Sequence, residues 1–332
     1  MKKYDVVALG ELLIDLTQNG ISQQGNPLLE ANPGGAPCNV LALLAKLGHS
    51  TAFIGKVGAD GFGTQLENAL TETGISTQGL CRDEKVHTTL AVVHTLADGD
   101  RDFSFYRNPG ADMQLYQEEV PFELIQQAKI FHFGTLSMTD EPVRSATCAA
   151  IAEAERCGVL RSFDPNLRPP LWRSLEEAKE QVCYGLAHCD ILKISDNEIQ
   201  WLTGLKDYDQ GVSWIRERYP AIKLILLSMG KDGSRAYAGD IQAEAQAFRV
   251  DTIETTGAGD TFFGAVLHHV LMWGMGEYTG EQLTWMLTFA NAAAAIVTTR
   301  KGALRVMPGK EEIADLPCLC SVHHGGVHQC GS

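Results

Sequence analysis

Glu254-Thr255-Thr256-Gly257-Ala258-Gly259-Asp260 ends one segment of this chain, turns on two glycines and opens an apolar helix. Glycine lets the backbone approach a ligand closely, and the unpaired N–H groups at a helix start attract a negative charge. Asp260 lies at the edge of this predicted anion site. Donors that hold a phosphoryl group, beside a carboxylate that accepts a proton, suit phosphoryl transfer. The plainer interpretation is a tight loop with an Asp that caps the helix.

Composition bounds the class of protein. The 332 residues suffice for one large α/β domain or two ordinary ones, and 45% apolar with 20% charged residues fit a soluble globular protein. The net charge of −14 argues against nucleic acid as a partner. No apolar run is long enough to predict a membrane span, and the first residues lack the pattern of a signal peptide. We therefore expect a cytoplasmic protein that does not bind membranes.

The nine cysteines are scattered and odd in number, which favours reduced thiols over a disulfide framework. Three of them, with three histidines, lie in residues 317–332. Such a cluster can bind Zn²⁺, but its spacing matches no zinc-finger signature. A mobile tail is the preferred interpretation, because chain ends are usually mobile.

Short apolar runs alternate with segments of helical periodicity. The runs predicted to be buried strands are residues 4–9, 51–57, 129–133, 159–163, 190–194 and 222–228. The segments predicted to be helices are 39–47, 63–73, 141–157, 175–187, 209–219, 260–273 and 280–299. This alternation predicts an α/β fold with a mostly parallel sheet covered by helices. Ligands of such sheets bind beyond the carboxyl ends of the strands.

Residues 12–33 and 88–107 break this rhythm, because they contain strand-like pieces with no helix between them. Residues 88–96 and 101–107 flank the turn Ala97-Asp98-Gly99-Asp100 and are predicted to form a hairpin. A hairpin cannot bury both faces alone. We expect it to form a small sheet with residues 12–33, over a cleft or against another subunit.

A second glycine motif, Gly34-Gly35-Ala36-Pro37-Cys38-Asn39, opens an early helix. The glycines bring backbone N–H groups near a ligand, and the Asn39 amide offers both a donor and an acceptor. An ordinary N-cap after a flexible turn is the competing interpretation. Asp15 lies in an apolar run and needs a hydrogen-bonding partner, which sugar hydroxyls or the backbone would supply.

These two glycine motifs, in this order, resemble the signatures of the ribokinase-like (PfkB) family of sugar kinases. The resemblance extends from about residue 4 to residue 308. It implies a three-layer α/β/α fold with a mostly parallel central sheet and a small β-sheet lid. The kinase domain would span residues 1–316, with lid segments at about 12–33 and 88–107. ATP and Mg²⁺ are the implied cofactors, and K⁺ is a further candidate. No Walker A loop or Rossmann motif offers another phosphate scaffold.

The resemblance also implies a role for individual residues. Asp260 would be the catalytic base, and Gly257, Ala258 and Gly259 would form an anion hole. The residues implied to bind the sugar are Asp15, Gly34, Gly35, Asn39, Tyr106, Arg107 and Arg168. Those implied to bind the nucleotide are Lys193, Glu198, Ser228, Gly230, Gly233 and Asn291.

Two positions depart from the family's pattern. Glu254 replaces an Asp whose carboxylate helps to bind a monovalent cation. The implied cation site comprises Glu254 and the backbone of Thr256, Val297, Arg300 and Gly302. Ser195 replaces the Asn of the family's Asn-x-x-Glu motif, whereas Glu198 is retained and is implied to act on Mg²⁺ through water.

The segments that end at Asp112 and Arg168 resemble those of bacterial fructokinases. We therefore expect phosphorylation of D-fructose at O6 by ATP (fructokinase, EC 2.7.1.4), and a homodimer joined through the lid. Arginines placed like Arg107 and Arg168 grip a carboxylate in 2-keto-3-deoxygluconate kinases, so that sugar acid is the alternative substrate. Other sugar or nucleoside kinases of this family are further alternatives. A non-catalytic sugar sensor is the alternative from another class.

Overall fold

Strands and helices alternate along the chain in a computed structural model that describes residues 2–95 and 101–316. The strands are β1 (Tyr4–Leu9), β2 (Leu13–Ile21), β3 (Pro27–Gly34), β4 (Thr51–Gly58), β5 (Ile75–Asp83), β6 (Leu90–Thr95), β7 (Arg101–Tyr106), β8 (Ala128–Gly134), β9 (Leu160–Asp164), β10 (Ile191–Ser195), β11 (Leu224–Ser228), β12 (Ser234–Ala238) and β13 (Ile241–Ala245). The α-helices are α1 (Ala36–Lys46), α2 (Gly61–Thr73), α3 (Phe122–Gln126), α4 (Val143–Arg156), α5 (Leu175–Ala187), α6 (Asp196–Thr203), α7 (Tyr208–Arg218), α8 (Ala258–Trp273), α9 (Gly280–Thr298) and α10 (Lys310–Ala314).

Nine strands form the main sheet, in the order β13-β12-β11-β10-β9-β8-β1-β4-β5. The strands from β11 to β5 run parallel, and β12 and β13 add an antiparallel hairpin at one edge. The side chains of β4 are all buried, as expected for a parallel strand with both faces covered. The predicted mostly parallel sheet is therefore confirmed.

Helices cover both faces of this sheet. Successive side chains of a strand point to opposite faces, and β1 divides accordingly between two hydrophobic cores. Val6 and Ala8 pack with residues of α1, α2, α8 and α9. Val7 and Leu9 pack with residues of α4, α5, α6 and α7. The result is three layers, α/β/α, as the resemblance implied.

A separate four-stranded sheet, which we call the lid, has the order β3-β2-β6-β7. Its strands β2 and β6 pair in parallel, while the two outer pairs are antiparallel. The predicted small sheet is confirmed. The turn predicted at residues 97–100 lies outside the described residues.

All the predicted strands and helices are present, with small differences at their ends. The elements that were not predicted are β5, α3, α6, α10 and the β12–β13 hairpin. β5 lies at the sheet edge and is only partly buried, so it carries no continuous apolar run. The proposed boundary between a domain of residues 1–316 and a tail stays a prediction.

Six cysteines within the described residues are free thiols, and two of these, Cys38 and Cys189, are buried. The Cys/His-rich residues 317–332 lie outside the described part of the chain. Within the part that is described, no helix has the length and apolar character needed to cross a membrane.

Candidate active site

Five neighbouring parallel strands, β11, β10, β9, β8 and β1, direct their carboxyl ends toward one cavity of about 730 Å³. This is the edge of the sheet at which the sequence predicted ligands to bind. The polar residues that line the cavity come from these strand ends, from the lid, from α1 and α6, and from the start of α8 and the loop before it. They include Glu11, Asp15, Asn39, Asn166, Arg168, Lys193, Ser195, Asp196, Glu198, Ser228, Thr252, Thr255, Thr256 and Asp260.

The glycine turn before α8 forms one wall of the cavity. Gly257 is in the left-handed conformation, with φ 78°, and a Cβ there would lie 2.6 Å from the Ala303 Cβ. Only glycine fits this position without strain. Gly257, Gly259 and Asp260 line the cavity, so the positive end of the α8 dipole faces it. The Ala258 N–H donates to the Thr255 carbonyl at 3.2 Å.

Asp260 is buried at the start of α8. Its Oδ2 accepts a hydrogen bond of 2.8 Å from the Asn39 Nδ2. Burial raises the pKa of the Asp260 carboxyl, while the Asn39 bond and the charges of Lys193 and Arg168 lower it. Through its Nδ2, Asn39 therefore contacts the candidate base directly. Its Oδ1 is buried and has no hydrogen-bond partner among the described residues.

Lys193 connects the candidate anion hole to the interior of the sheet. Its ammonium group lies 2.9 Å from Asp164 Oδ2, and only 3.2 Å from where a Cβ on Gly259 would stand. Burial raises the pKa of Asp164 to about 6, against the opposing charge of Lys193. A buried cation therefore lies against the turn where phosphoryl charge is expected to develop.

Some of the residues predicted to bind the sugar lie close together. Asp15, Gly35 and Asn39 line the cavity. Gly34 lies behind Asp15, because a Cβ on Gly34 would stand 2.2 Å from Asp15 Oδ2. Burial raises the pKa of Asp15 to about 7, and the negative charges of Glu254 and Asp260 add to that rise. The Asp15 carboxyl can therefore donate or accept a hydrogen bond near neutral pH.

The two arginines predicted to bind the sugar lie in different environments. Arg168 lines the cavity, and its charge lowers the pKa values of Asp15 and Asp260. Arg107 does not line it, because its guanidinium is buried and donates to Asp112 Oδ2 at 2.7 Å and to Thr139 Oγ1 at 2.9 Å. Its predicted contact with the sugar stays a prediction. Tyr106 is 66% exposed, and its predicted sugar contact stays a prediction.

A second cavity, also of about 730 Å³, lies on the other side of the glycine turn. The residues that line both cavities are Ser228, Gly230, Thr252, Thr255 and Gly259. Gly233 and Asn291, both predicted to bind the nucleotide, line the second cavity. The amide of Asn291 is engaged by the protein, since Nδ2 donates to the Ala245 and Gln246 carbonyls and Oδ1 accepts from Ser234. Asn291 thus fixes the wall of this cavity.

Glu198 is held by the start of its own helix, α6. Its Oε2 accepts 2.8 Å hydrogen bonds from the backbone N–H and the hydroxyl of Ser195, and its Oε1 accepts one from the Leu167 N–H. Burial would raise the pKa of the Glu198 carboxyl, but Lys193 and these donors outweigh it and lower the pKa. Ser195, which replaces the family's Asn, therefore positions an ionised Glu198. The predicted action of Glu198 on Mg²⁺ through water stays a prediction.

Glu254 is buried beside the turn that follows α9. Its Oε1 accepts a 2.7 Å hydrogen bond from Thr256 Oγ1, and its Oε2 accepts one of 2.9 Å from the Gly302 N–H. Val297 is buried at the end of α9, and its carbonyl accepts a 3.2 Å hydrogen bond from the Arg300 N–H. The predicted binding of a monovalent cation by Glu254 and the backbone of Thr256, Val297, Arg300 and Gly302 stays a prediction.

Three carboxylates without a role predicted from the sequence lie at the site in the structure. Glu11 and Asp196 line the main cavity, and Asp164 binds Lys193. Each lies next to the carboxyl end of a parallel strand. The general rule for ligand sites in α/β sheets could have found them.

Residues 3–309 match the family described as pfkB family carbohydrate kinases. The chain belongs to this family, and the predicted class, a sugar kinase, is confirmed. Several similar proteins are fructokinases. Probable fructokinase-2 of Arabidopsis thaliana is 43% identical over 309 residues, which cover 91% of this chain and 92% of that protein.

Solved structures of bacterial fructokinases share the fold. A fructokinase from Xylella fastidiosa with bound ATP has a TM-score of 0.85 and 29% identity, covering 98% of this chain and 99% of that one. A fructokinase from Vibrio cholerae O395, bound to fructose, ADP and calcium, has a TM-score of 0.84 and 31% identity, covering 93% and 98%. A double mutant of that enzyme was solved with fructose, ADP and potassium.

Proposed function

We propose that this chain is an ATP-dependent fructokinase that transfers the γ-phosphoryl group of ATP to O6 of D-fructose. The observation that carries this proposal is that two cavities meet at Gly259, next to the buried Asp260. The cavity lined by Asp15 and Asn39 suits a polyhydroxylated ligand. The cavity that reaches Phe262 and Ala295 suits a nucleotide. The fructokinase relatives support the choice of fructose.

The phosphoryl group would pass between the cavities at the glycine turn. Asp260 accepts the proton of O6 as that oxygen bonds to the γ-phosphorus and the bond to ADP breaks. The N–H groups of the turn and the Lys193 ammonium stabilise the charge on the transferring group. A general base contributes about 10²–10⁴ in rate, and one anion-hole donor contributes roughly 3–4 kcal/mol. Exclusion of water strengthens both contributions, and the lid is the element proposed to exclude it.

Sugar binding is proposed to rest on Asp15, Gly35 and Asn39, with Arg168 at the edge facing Asp15 and Asp260. Because burial raises the pKa of Asp15 to about 7, its carboxyl can serve as donor or acceptor to a hydroxyl. Gly34 leaves the space that the Asp15 side chain occupies. A sugar acid would pair its carboxylate with Arg168 instead, and this is the alternative substrate that a sugar panel tests.

We propose Glu198 and Asp196 as the residues that hold Mg²⁺ through its waters. Both line the main cavity, and oxygen donors suit this ion. When bound, Mg²⁺ would neutralise charge on the β- and γ-phosphates. A K⁺ ion is proposed beside Glu254, with the backbone oxygens of Thr256, Val297, Arg300 and Gly302. It would stiffen the turn that bears Gly257.

We further propose a homodimer joined through the lid and a cytoplasmic location. The outer half of the lid exposes Ile21, Leu28 and Leu29, each about half exposed to solvent or more. Apolar side chains of this size on one small sheet favour a protein partner, and a second copy of the lid offers a matching surface.

The experiment that tests the proposed function is ADP release with ATP and each member of a sugar panel. We expect D-fructose to be phosphorylated with the highest kcat/KM, and the product to be the 6-phosphate. Highest activity on 2-keto-3-deoxygluconate would show that this sugar acid, and not fructose, is the substrate. Sugar binding without transfer to any sugar would show that the protein is a sensor and not an enzyme.

A further inference from the structure

The chain crosses between the core and the lid at four points, and these points lie on one buried polar cluster. Glu11 precedes β2, Thr89 precedes β6 and Arg107 follows β7. The fourth crossing leads from β3 into α1. These three residues and Asp112, in the turn after β7, are all buried. We call Glu11, Thr89, Arg107 and Asp112 the lid base.

Glu11 links the two points at which the β2–β3 hairpin connects to the core. Its Oε1 accepts a 2.8 Å hydrogen bond from the N–H of Ala36, the first residue of α1. The intervening Gly35 has φ 132°, and a Cβ there would lie 2.4 Å from the Glu11 carbonyl oxygen. The backbone before β2 thus packs directly against the backbone after β3.

Asp112 links the two points at which the β6–β7 pair connects to the core. Its Oδ1 accepts a hydrogen bond of 2.5 Å from the Thr89 hydroxyl, and its Oδ2 accepts one of 2.7 Å from Arg107 Nε. A Cβ on Gly110 would lie 1.7 Å from Thr89 Oγ1. Glycine at that position is what allows the three side chains to meet.

The two pairs of crossings are also connected to each other and to the site. The Ile14 N–H donates to the Thr89 carbonyl at 3.1 Å. Arg107 donates to the Leu136 carbonyl at 2.8 Å, and Leu136 lines the main cavity together with Glu11. The guanidinium of Arg107 therefore binds the end of the lid to the wall of the catalytic cavity.

We propose that the lid base sets the angle at which the lid meets the core, with Arg107 as its central positioning residue. The angle matters because the γ-phosphoryl group can pass to water instead of the sugar. In that reaction a water oxygen bonds to phosphorus, the bond to ADP breaks, and the water's proton goes to solvent. A planar, forked guanidinium fixes three directions at once, which the lysine ammonium does not. This proposal rests on the kinase function proposed above.

The test compares Arg107→Lys with a matched substitution elsewhere. We expect Arg107→Lys to lower fructose phosphorylation by about 10- to 100-fold, while fructose-independent ATP hydrolysis falls less. The ratio of hydrolysis to transfer therefore rises. The control is Arg161→Lys, because Arg161 Nε binds Asp190 Oδ2 at 3.0 Å in a largely buried pair at the amino ends of β9 and β10. It should lower Tm and leave that ratio unchanged.

An unchanged ratio in Arg107→Lys, with Tm lowered as in the control, would overturn the proposal and leave Arg107 purely structural. Should Arg107→Lys not fold, Thr89→Val removes the hydroxyl that binds Asp112 and is measured in the same way. If the wild-type enzyme is inactive on fructose, the proposed substrate is wrong but the proposal about the lid base is not. The lid base is then tested with the sugar that the panel identifies.

Discussion

Asn39 and Asp260 are 221 residues apart in the chain and form a 2.8 Å hydrogen bond in the structure. The glycine motifs identified both residues, because each motif carries a recognisable turn into a helix. The bond between them could not be predicted, since it depends on how α1 and α8 pack. The same holds for Arg107, whose segment was recognised but whose partner Asp112 and buried position were not.

Asp260→Asn should lower kcat by at least about a hundredfold, because a general base contributes roughly 10²–10⁴ in rate. The affinities for fructose and ATP should change little, since the amide has nearly the same shape. Steady-state kinetics and ligand titration measure both quantities. Asp251→Asn is the control, because Asp251 is exposed and lines neither cavity. A loss of tenfold or less in Asp260→Asn would exclude Asp260 as the base.

Asn39→Leu should shift the acidic limb of the kcat–pH profile to higher pH. The Asn39 hydrogen bond lowers the pKa of the Asp260 carboxyl, so its removal raises that pKa, and the base is then protonated at a higher pH. The pH dependence of kcat, measured for the wild-type enzyme and the variant, checks this direction. An acidic limb at the wild-type position would show that this bond does not tune the base.

Helix α8 and its glycine turn were predictable because an apolar helix follows two glycines, and most other helices and strands of the core were predictable from their apolar periodicity. Most of the elements that escaped prediction are short or partly exposed. β5 is a partly exposed edge strand, three of the five residues of β13 are exposed, and α6 has only eight residues. Short or half-exposed elements leave a weak pattern in sequence, because tertiary contacts rather than local propensity stabilise them.

The loop that carries Glu254 is expected to make the enzyme respond to monovalent cations. Activity should be higher in K⁺ than in Na⁺ or Li⁺ at equal ionic strength, because K⁺ suits a site of carboxylate and carbonyl oxygens. Initial rates in the three chloride salts measure this preference. Glu254→Gln removes the negative charge and should abolish it. Equal rates of the wild-type enzyme in all three salts would mean that Glu254, bound to Thr256 and Gly302, does not bind a cation.

As a whole, the molecule consists of a large sheet that carries the chemistry and a small sheet attached at one edge of the cavity. The α/β/α architecture followed from the alternation of strands and helices together with the family resemblance. The lid's pairing order could not be predicted, since the parallel pair β2–β6 joins segments far apart in sequence. The meeting of the four core–lid connections at the lid base could not be predicted either, because it depends on the tertiary structure.

Leu29→Glu should convert the proposed dimer into a monomer, because it places a charge in an apolar interface. Analytical ultracentrifugation of the wild-type protein and the variant measures this change. Met272→Glu is the control, since Met272 is 55% exposed near the end of α8, away from the lid. A wild-type protein that sediments as a monomer, or a Leu29→Glu variant that stays dimeric, would contradict assembly through the lid.

The most direct measurement is a crystal structure of the protein with fructose and a non-hydrolysable ATP analogue. The γ-phosphate should lie within hydrogen-bonding distance of the N–H groups at Gly257–Gly259, with Lys193 beside it. The O6 hydroxyl of fructose should contact the Asp260 carboxylate, in line with the γ-phosphorus. A γ-phosphate bound elsewhere, or an O6 that does not reach Asp260, would contradict the central claim that this turn and this carboxylate carry out the transfer.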